Sequence, residues 1–478
     1  MRRTAAVVIV LLFVTTASWA QAPSVLTSTY FDAQPDPAVP AQPPQVGGGG
    51  LVQPAGAGPA PFGNGEQPVL RFAGDNGPVN QFTFSLNDDT GYDDNVFGTD
   101  QHRARDFFTA VGPRVMFLTS RKHVNFDLDY APFFQIYKTY SHYDSVNQTL
   151  NFDVSAELSP RFQLRLREVA AELYYGLFGG FGPQEVAGLG PPGTTVPFFI
   201  NPNTRSIDSS SRVDLVFNKS ARTSLDVFGG FSMLNYKIER GAGGTYLNLE
   251  APSGGFSYSY RVTARGSFSL TYDYMRSVYL KTFLPPRFQT HSASLSYAYQ
   301  ASPAVLVSVW GGPEYTQIRE TLALPFPPFG FVEVPFARQA WNWSAGFDVS
   351  RTTPVSTISL HASRYVSAGG GLLTAVNDTS GGLLISRRLT LGWTGNAGIN
   401  YLQLRSLSFG GLPGGNYNVA YANLGFSHKL GERASIRFNY WGTRQRHGLG
   451  STFSYADADR NRASVGINWD IGKVHLGH

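Results

Sequence analysis

The sequence predicts an all-β fold, a transmembrane antiparallel up-and-down β-barrel of about 18 strands, and three observations carry that expectation. Apolar and polar residues alternate with a period of two along most of the chain. No stretch with helical period interrupts them to cover the apolar faces. Short polar breaks take turns with long Gly- and Pro-rich ones.

The alternation is clearest over residues 149–167. Leu150, Phe152, Val154, Ala156 and Leu158 alternate with Asn151, Asp153, Ser155 and Glu157. After Ser159-Pro160-Arg161, Phe162, Leu164 and Leu166 alternate with Gln163, Arg165 and Arg167. Successive side chains of a strand point to opposite faces, so each half has one oily and one charged side. Proline lacks a backbone N–H and fits the turn between them. A soluble sheet would have to bury the oily side. In a membrane barrel, lipid takes that side and a water-filled interior takes the charges.

Composition agrees. Of 478 residues, 52 are Gly and 14% are aromatic, while charged residues fall to 15%, against roughly a quarter in soluble globular proteins. The net charge of +5 is spread thinly, with no basic cluster to suggest nucleic acid. The chain has no Cys, which excludes disulfides, thiolate metal sites and a cysteine nucleophile.

Residues 1–22 read as a secretory signal peptide: Arg2 and Arg3, an apolar run, then small residues around Ala20 and Ala22. Residues 23–77 are rich in Pro, Gly and Ala and read as a disordered periplasmic tail. The barrel is expected over 78–472, with 473–478 as a C-terminal extension. Eight short turns are expected near 121, 160, 220, 263, 302, 353, 387 and 431. Nine longer loops are expected near Asp93, Tyr143, Pro191, Gly243, Pro286, Pro328, Gly370, Gly411 and Gly450. Together they join 18 strands, an even count with the loop asymmetry of bacterial outer-membrane barrels. Sixteen is the alternative, because 249–261 and 377–388 are weakly patterned. Tyr137, Trp393, Tyr440 and Trp441 lie near strand ends, where interfacial girdles form.

Parity also nominates the interior. Asp127, Asp129, Asp153, Glu157, Arg165, Arg167, Asp214, Asp226, Asp273, Arg437 and Arg462 are the candidate pore-lining charges. Arg437 lies between Ile436 and Phe438. A basic residue facing lipid at mid-depth costs about 2–4 kcal/mol, so Arg437 is expected inside. Such mixed charges either set a transverse field across open water or close the bore as a salt-bridged filling. The third loop, 176–203, carries Phe178, Phe181, Phe198 and Phe199 among Gly and Pro. These aromatics make it a candidate constriction, or else a cap over the barrel mouth or a contact with a neighbouring subunit. Residues 322–332 pose the same choice.

After the first strand stands Tyr92-Asp93-Asp94-Asn95-Val96-Phe97. This segment resembles the opening of the β-barrel porin-2 family of Gram-negative outer-membrane β-barrel proteins. The resemblance implies an outer-membrane channel, in some members tied to export of surface polysaccharide, and it implies no catalytic residues. The chain departs from many such barrels in ending on Gly472-Lys-Val-His-Leu-Gly-His478 rather than on Phe or Trp.

Other chemistry is poorly supported. His102 lies near Asp100 and Asp106, but any polar loop offers as much, and a hydrolase would also need a nucleophile placed beside them at the rim. Asp88, Asp89, Asp93, Asp94 and Asn95 lack the spacing of a calcium loop, so they read as a solvated loop with turn hydrogen bonds. The chain is therefore expected not to be an enzyme, and no cofactor or metal is expected. A porin-like channel for small hydrophilic solutes is the leading expectation. A part in exopolysaccharide export and a structural or adhesive role are the alternatives. The expected partners are outer-membrane lipid, periplasmic chaperones, the barrel-assembly machinery, and a small solute or polysaccharide.

Overall fold

The computed structural model describes residues 79–475, apart from 101, 122, 175–203, 239–247, 281–285, 326–330, 370–374, 408–414 and 448–456. The expected signal peptide, the expected tail and the phenylalanines of the third loop lie outside the described residues.

The described chain forms 18 strands. They begin with β1 (Val79–Asp93), β2 (Asp106–Arg121), β3 (Val124–Tyr137), β4 (Ser145–Ser159), β5 (Phe162–Tyr174) and β6 (Thr204–Ser220). The middle third is β7 (Thr223–Ile238), β8 (Asn248–Arg261), β9 (Gly266–Leu280), β10 (Arg287–Ser302), β11 (Val305–Pro325) and β12 (Phe331–Thr353). The last third is β13 (Ser356–Ser367), β14 (Val376–Arg388), β15 (Trp393–Ser406), β16 (Asn416–Lys429), β17 (Ala434–His447) and β18 (Ala458–His475). Each pairs antiparallel with its sequence neighbours, and β1 also pairs with β18, so the sheet closes into a barrel. Eight short turns mark one rim and nine longer connections the other. This is the expected up-and-down transmembrane barrel, and the weakly patterned segments form β8 and β14.

Three expectations about the ladder need correction. The barrel does not stop at 472. β18 runs on to His475, which pairs with Gln81, and a bulge between Phe84 and Ser85 absorbs one extra residue of β18. The expected turn near 387 comes later, because Arg387 and Arg388 still pair with Gly395 and Thr394. Residues 322–325 and 331–332 continue the β11–β12 hairpin, Pro325 pairing with Phe331.

The two faces differ as parity predicts. On the outside, Trp341 (73% exposed), Leu295 and Ile399 project with many other large apolar side chains. An apolar patch of that extent is not stable in water. Covering each such side chain with acyl chains contributes about 1.5–3 kcal/mol. Trp393 and Tyr440 stand on this outer face, Trp393 stacked on His428 with ring centroids 4.5 Å apart. Tyr137 and Trp441 do not. Both are buried on the inner face, where they share parity with Asp129 and Arg437, so they are not girdle residues.

Candidate functional site in the lumen

All eleven nominated charges lie on the inner face, set there by register. Asp129 receives the Arg114 Nε hydrogen bond at 2.7 Å from the adjoining strand. Arg167 Nε reaches Asp153 at 3.0 Å, and Asp153 stands directly opposite Asp127. Arg212 Nε donates to Asp214 at 2.6 Å, lies 3.9 Å from Asp226, and covers the Phe228 ring at 4.0 Å. Arg165 faces Asp214 in register. Glu157, near the turn rim, is 3.7 Å from His123. Arg437 crosses β18 to reach Asp89 at 3.1 Å. Gly466 stands opposite Asp89, and its lack of a Cβ leaves room for the Asp89 carboxylate.

The most heavily satisfied carboxylate is one that parity did not single out. Asp93 is fully buried at the top of β1. It accepts from Arg460 Nε at 3.0 Å, from the Tyr137 hydroxyl at 2.9 Å and from the Asn95 N–H at 3.1 Å. Arg462 Nε lies 3.4 Å away. That arginine also bonds Gln135 at 2.8 Å and covers the Phe108 ring at 4.2 Å. Two guanidiniums on one carboxylate offset the cost of removing all three charges from water.

The corner that follows has the expected turn hydrogen bond, from the Asn95 N–H to Asp93, but it is buried where a solvated loop was expected. Asn95 Nδ2 donates to the Asp459 carbonyl at 2.8 Å, and the Asp94 carboxylate receives the Asn461 N–H at 2.6 Å. Val96 packs into a lumenal cluster of Phe108, Ala110, Phe133 and Tyr137. Phe97 meets Tyr140 edge-on, with centroids 5.0 Å apart. The six-residue segment therefore seals the β1–β18 seam at its loop end. The two loop acids that could have served His102 are otherwise engaged. Asp106 accepts from the Thr139 and Tyr140 N–H groups at 2.7 and 2.9 Å. Partial burial pushes the Asp100 carboxyl up, but the Asp459 N–H and Arg103 outweigh it and hold the group below its ordinary range. Among the described residues no group of His and acidic side chains could hold a metal ion.

The opposite wall is different. The inner face of β8–β16 is lined by hydroxyls such as Ser257 and Thr271, joined at 2.9 Å, and Ser269 and Ser296, joined at 2.6 Å. Its acids are Asp273, Glu314, Asp348 and Asp378. Among the described residues, register gives this wall no arginine at depths between Arg261 near the turn rim and Arg338 near the loop rim. The lumen thus has an arginine arc, β17–β18–β1 through β6, facing a hydroxyl arc.

A second feature narrows it. β13 pairs with β12 only as far as Arg364 opposite Ala345. Beyond that point β13 leaves the β12 ladder and turns into the bore. The Val366 N–H donates to Glu314 Oε2 at 3.0 Å, and the Tyr279 hydroxyl donates to the Ala368 carbonyl at 2.8 Å. Val366, Ala368, Ala375 and Val376 are buried there with Leu234, Leu249, Phe288, Leu404 and Tyr417 from the surrounding wall. Gly369 supplies the left-handed backbone (φ 64°) that this corner needs. The sequence signal was available: Ala368-Gly369-Gly370-Gly371 is a small, uncharged run between two strand-patterned segments.

No family model matches the chain, and no curated protein is detectably similar to it. Solved structures with a similar trace include Acinetobacter baumannii OccAB3, at 10% identity and TM-score 0.39, covering 82% of this chain and 99% of that one. Pseudomonas aeruginosa OccK2 (OpdF) in complex with glucuronate shares 13% identity at TM-score 0.38, covering 83% and 98%. Pseudomonas aeruginosa OccK3 (OpdO) shares 13% at TM-score 0.40, covering 82% and 96%. Similarity this low leaves function to rest on the residues of this chain.

Proposed function

We propose that this chain is an outer-membrane channel through which small hydrophilic solutes pass passively. One observation carries the reading: a closed 18-stranded barrel is apolar outside and lined inside by charges and hydroxyls. Barrels of 16–18 strands leave an aqueous bore, so the interior must be solvated or filled by side chains and loops. The arginine arc is matched by acids on its own strands, so the wall stays rigid without needing a ligand. Facing it, the hydroxyl arc offers exchangeable hydrogen bonds. A field directed from one arc to the other orders water and favours solutes with dipoles and hydroxyls over apolar ones. The inward β13–β14 tip sets the size limit. No step requires a cofactor or a catalytic group. Lipid of the outer membrane is the surrounding partner, and chaperones and the assembly machinery would bring the chain there.

The test is single-channel recording of the refolded barrel in a planar bilayer, paired with liposome swelling against sugars of rising size. Stepwise conductance and a sharp size cut-off are expected. A folded barrel that inserts without conducting would overturn the reading in favour of a structural or adhesive role.

A further inference from the structure

The outer wall of β9–β12 is layered by depth, and its upper layer is charged. Leu270 and Leu295 stand side by side in the apolar band. Two rows nearer the loops, Tyr274, His291, Tyr315 and Trp341 form one continuous row across four strands. The row above is polar, Arg276 opposite Gln289 and Gln289 opposite Gln317. Above that, Arg287 stands directly opposite Arg319.

Two arginines facing each other across a ladder repel, and cross-strand pairs of like charge destabilise a sheet. Nothing described nearby neutralises them. Arg319 Nη2 donates to the neutral Gln317 side chain at 3.3 Å. Arg276 Nε is buried without a hydrogen-bond partner. The acid nearest in the ladder is Glu250, opposite Val278: it is one strand removed from Arg287 and diagonal to Arg276 on the adjoining strand, with no described ion pair to either. The arginines of the lumen, by contrast, reach carboxylates. Three arginines in successive rows above an aromatic row, on a face that meets lipid, lack one component: a polyoxygen anion at headgroup depth. Aromatic side chains settle at that depth, and guanidinium forks match phosphate oxygens bidentately.

We propose that Arg276, Arg287 and Arg319 bind a phosphate of an outer-leaflet glycolipid, whose acyl chains lie along the apolar rows below. The site rests on the outer-membrane reading given above, with the loop rim outward. It lies on the outside of the barrel and takes no part in conduction.

The full barrel in lipid nanodiscs provides the test. The readout is the temperature at which the heat-modifiable band converts, with bis-phosphorylated lipid A, the same lipid dephosphorylated, or inorganic phosphate as probe. Bis-phosphorylated lipid A should raise that temperature for the wild type and bind on the order of tenfold more weakly to Arg276→Gln/Arg287→Gln/Arg319→Gln. The other two probes should give no rise. An equal rise with the triple variant, with dephosphorylated lipid or with inorganic phosphate would overturn the proposal. Should the triple variant fail to fold, Arg287→Gln alone, which relieves the repulsion, should still lose most of the rise, and an unchanged rise would overturn the proposal. Conductance of any of these variants should match the wild type. Wild-type barrel that does not conduct overturns the channel reading and leaves the lipid measurement standing by itself.

Discussion

Releasing the β13–β14 tip should open the channel. Its two described anchors are the hydrogen bond from the Val366 N–H to Glu314 at 3.0 Å and that from Tyr279 to the Ala368 carbonyl at 2.8 Å. Glu314→Ala leaves a buried backbone N–H without an acceptor, at about 1–3 kcal/mol, and Tyr279→Phe removes a bond worth about 0.5–1.5 kcal/mol net. Together they weaken docking by about 2–4 kcal/mol, which lowers the ratio of docked to undocked tip by roughly 30- to 700-fold. The apolar contacts of Val366 and Val376 remain, so the double variant should flicker between two conductance levels instead of opening fully. Glu314→Gln keeps one acceptor oxygen and should behave nearly as wild type. The assay is single-channel recording with the open-state noise resolved, alongside a heat-modifiability gel to show that the barrel is folded. A folded double variant with unchanged conductance and noise would refute the idea that this tip limits the bore.

Asp93→Ala leaves Arg460 and Arg462 buried without their shared carboxylate, which should cost about 3–5 kcal/mol and lower the conversion temperature on the gel; an unchanged temperature removes the corner from the closure of the barrel. A tag inserted near Gly243 or Gly411 should be reachable by antibody on intact cells, and one near Pro303 or Gly431 should not; the reverse pattern would invert the orientation assumed here. Removing residues 23–70 should leave a heat-modifiable barrel, because β1 begins at Val79 and takes all its pairings from β2 and β18; loss of the folded band would show that the tail plugs or nucleates it.

The barrel was legible because strand parity and turn chemistry are local. Each hairpin states its own two faces, and a count of short and long breaks states how many hairpins there are. What lay beyond that reading is long-range. The β18 bulge and the pairing of Gln81 with His475 depend on how the last strand meets the first, and nothing in residues 473–478 alone reveals a partner nearly four hundred residues earlier. Tyr137 and Trp441 show the opposite failure. Their aromatic type suggested a membrane girdle, yet Tyr137 has the parity of Asp127 and Asp129, and Trp441 that of Arg437. Within a strand whose face is already fixed by charges, parity outranks residue type.

The lumenal charges divide in the same way. That Arg437 points inward follows from Ile436 and Phe438 beside it, since the alternative places a guanidinium in lipid. That it meets Asp89, 348 residues away, follows only from closure of the barrel. The same closure turns the segment from Tyr92 to Phe97 from an acidic turn into a seam: Asp93 and Asp94 are local to β1, whereas Arg460, Asn461 and Arg462 arrive with β18. Pairing across the seam also moves the arginines. In sequence, inward acids come early and several arginines late, as though the lumen were graded along the chain. Around the barrel, late strands lie beside early ones, so the late arginines neutralise the early acids. The field therefore runs between this self-neutralised arc and the hydroxyl arc of β8–β16, where Asp273 and Glu314 lie between rims that carry the wall's described arginines, Arg261 and Arg338.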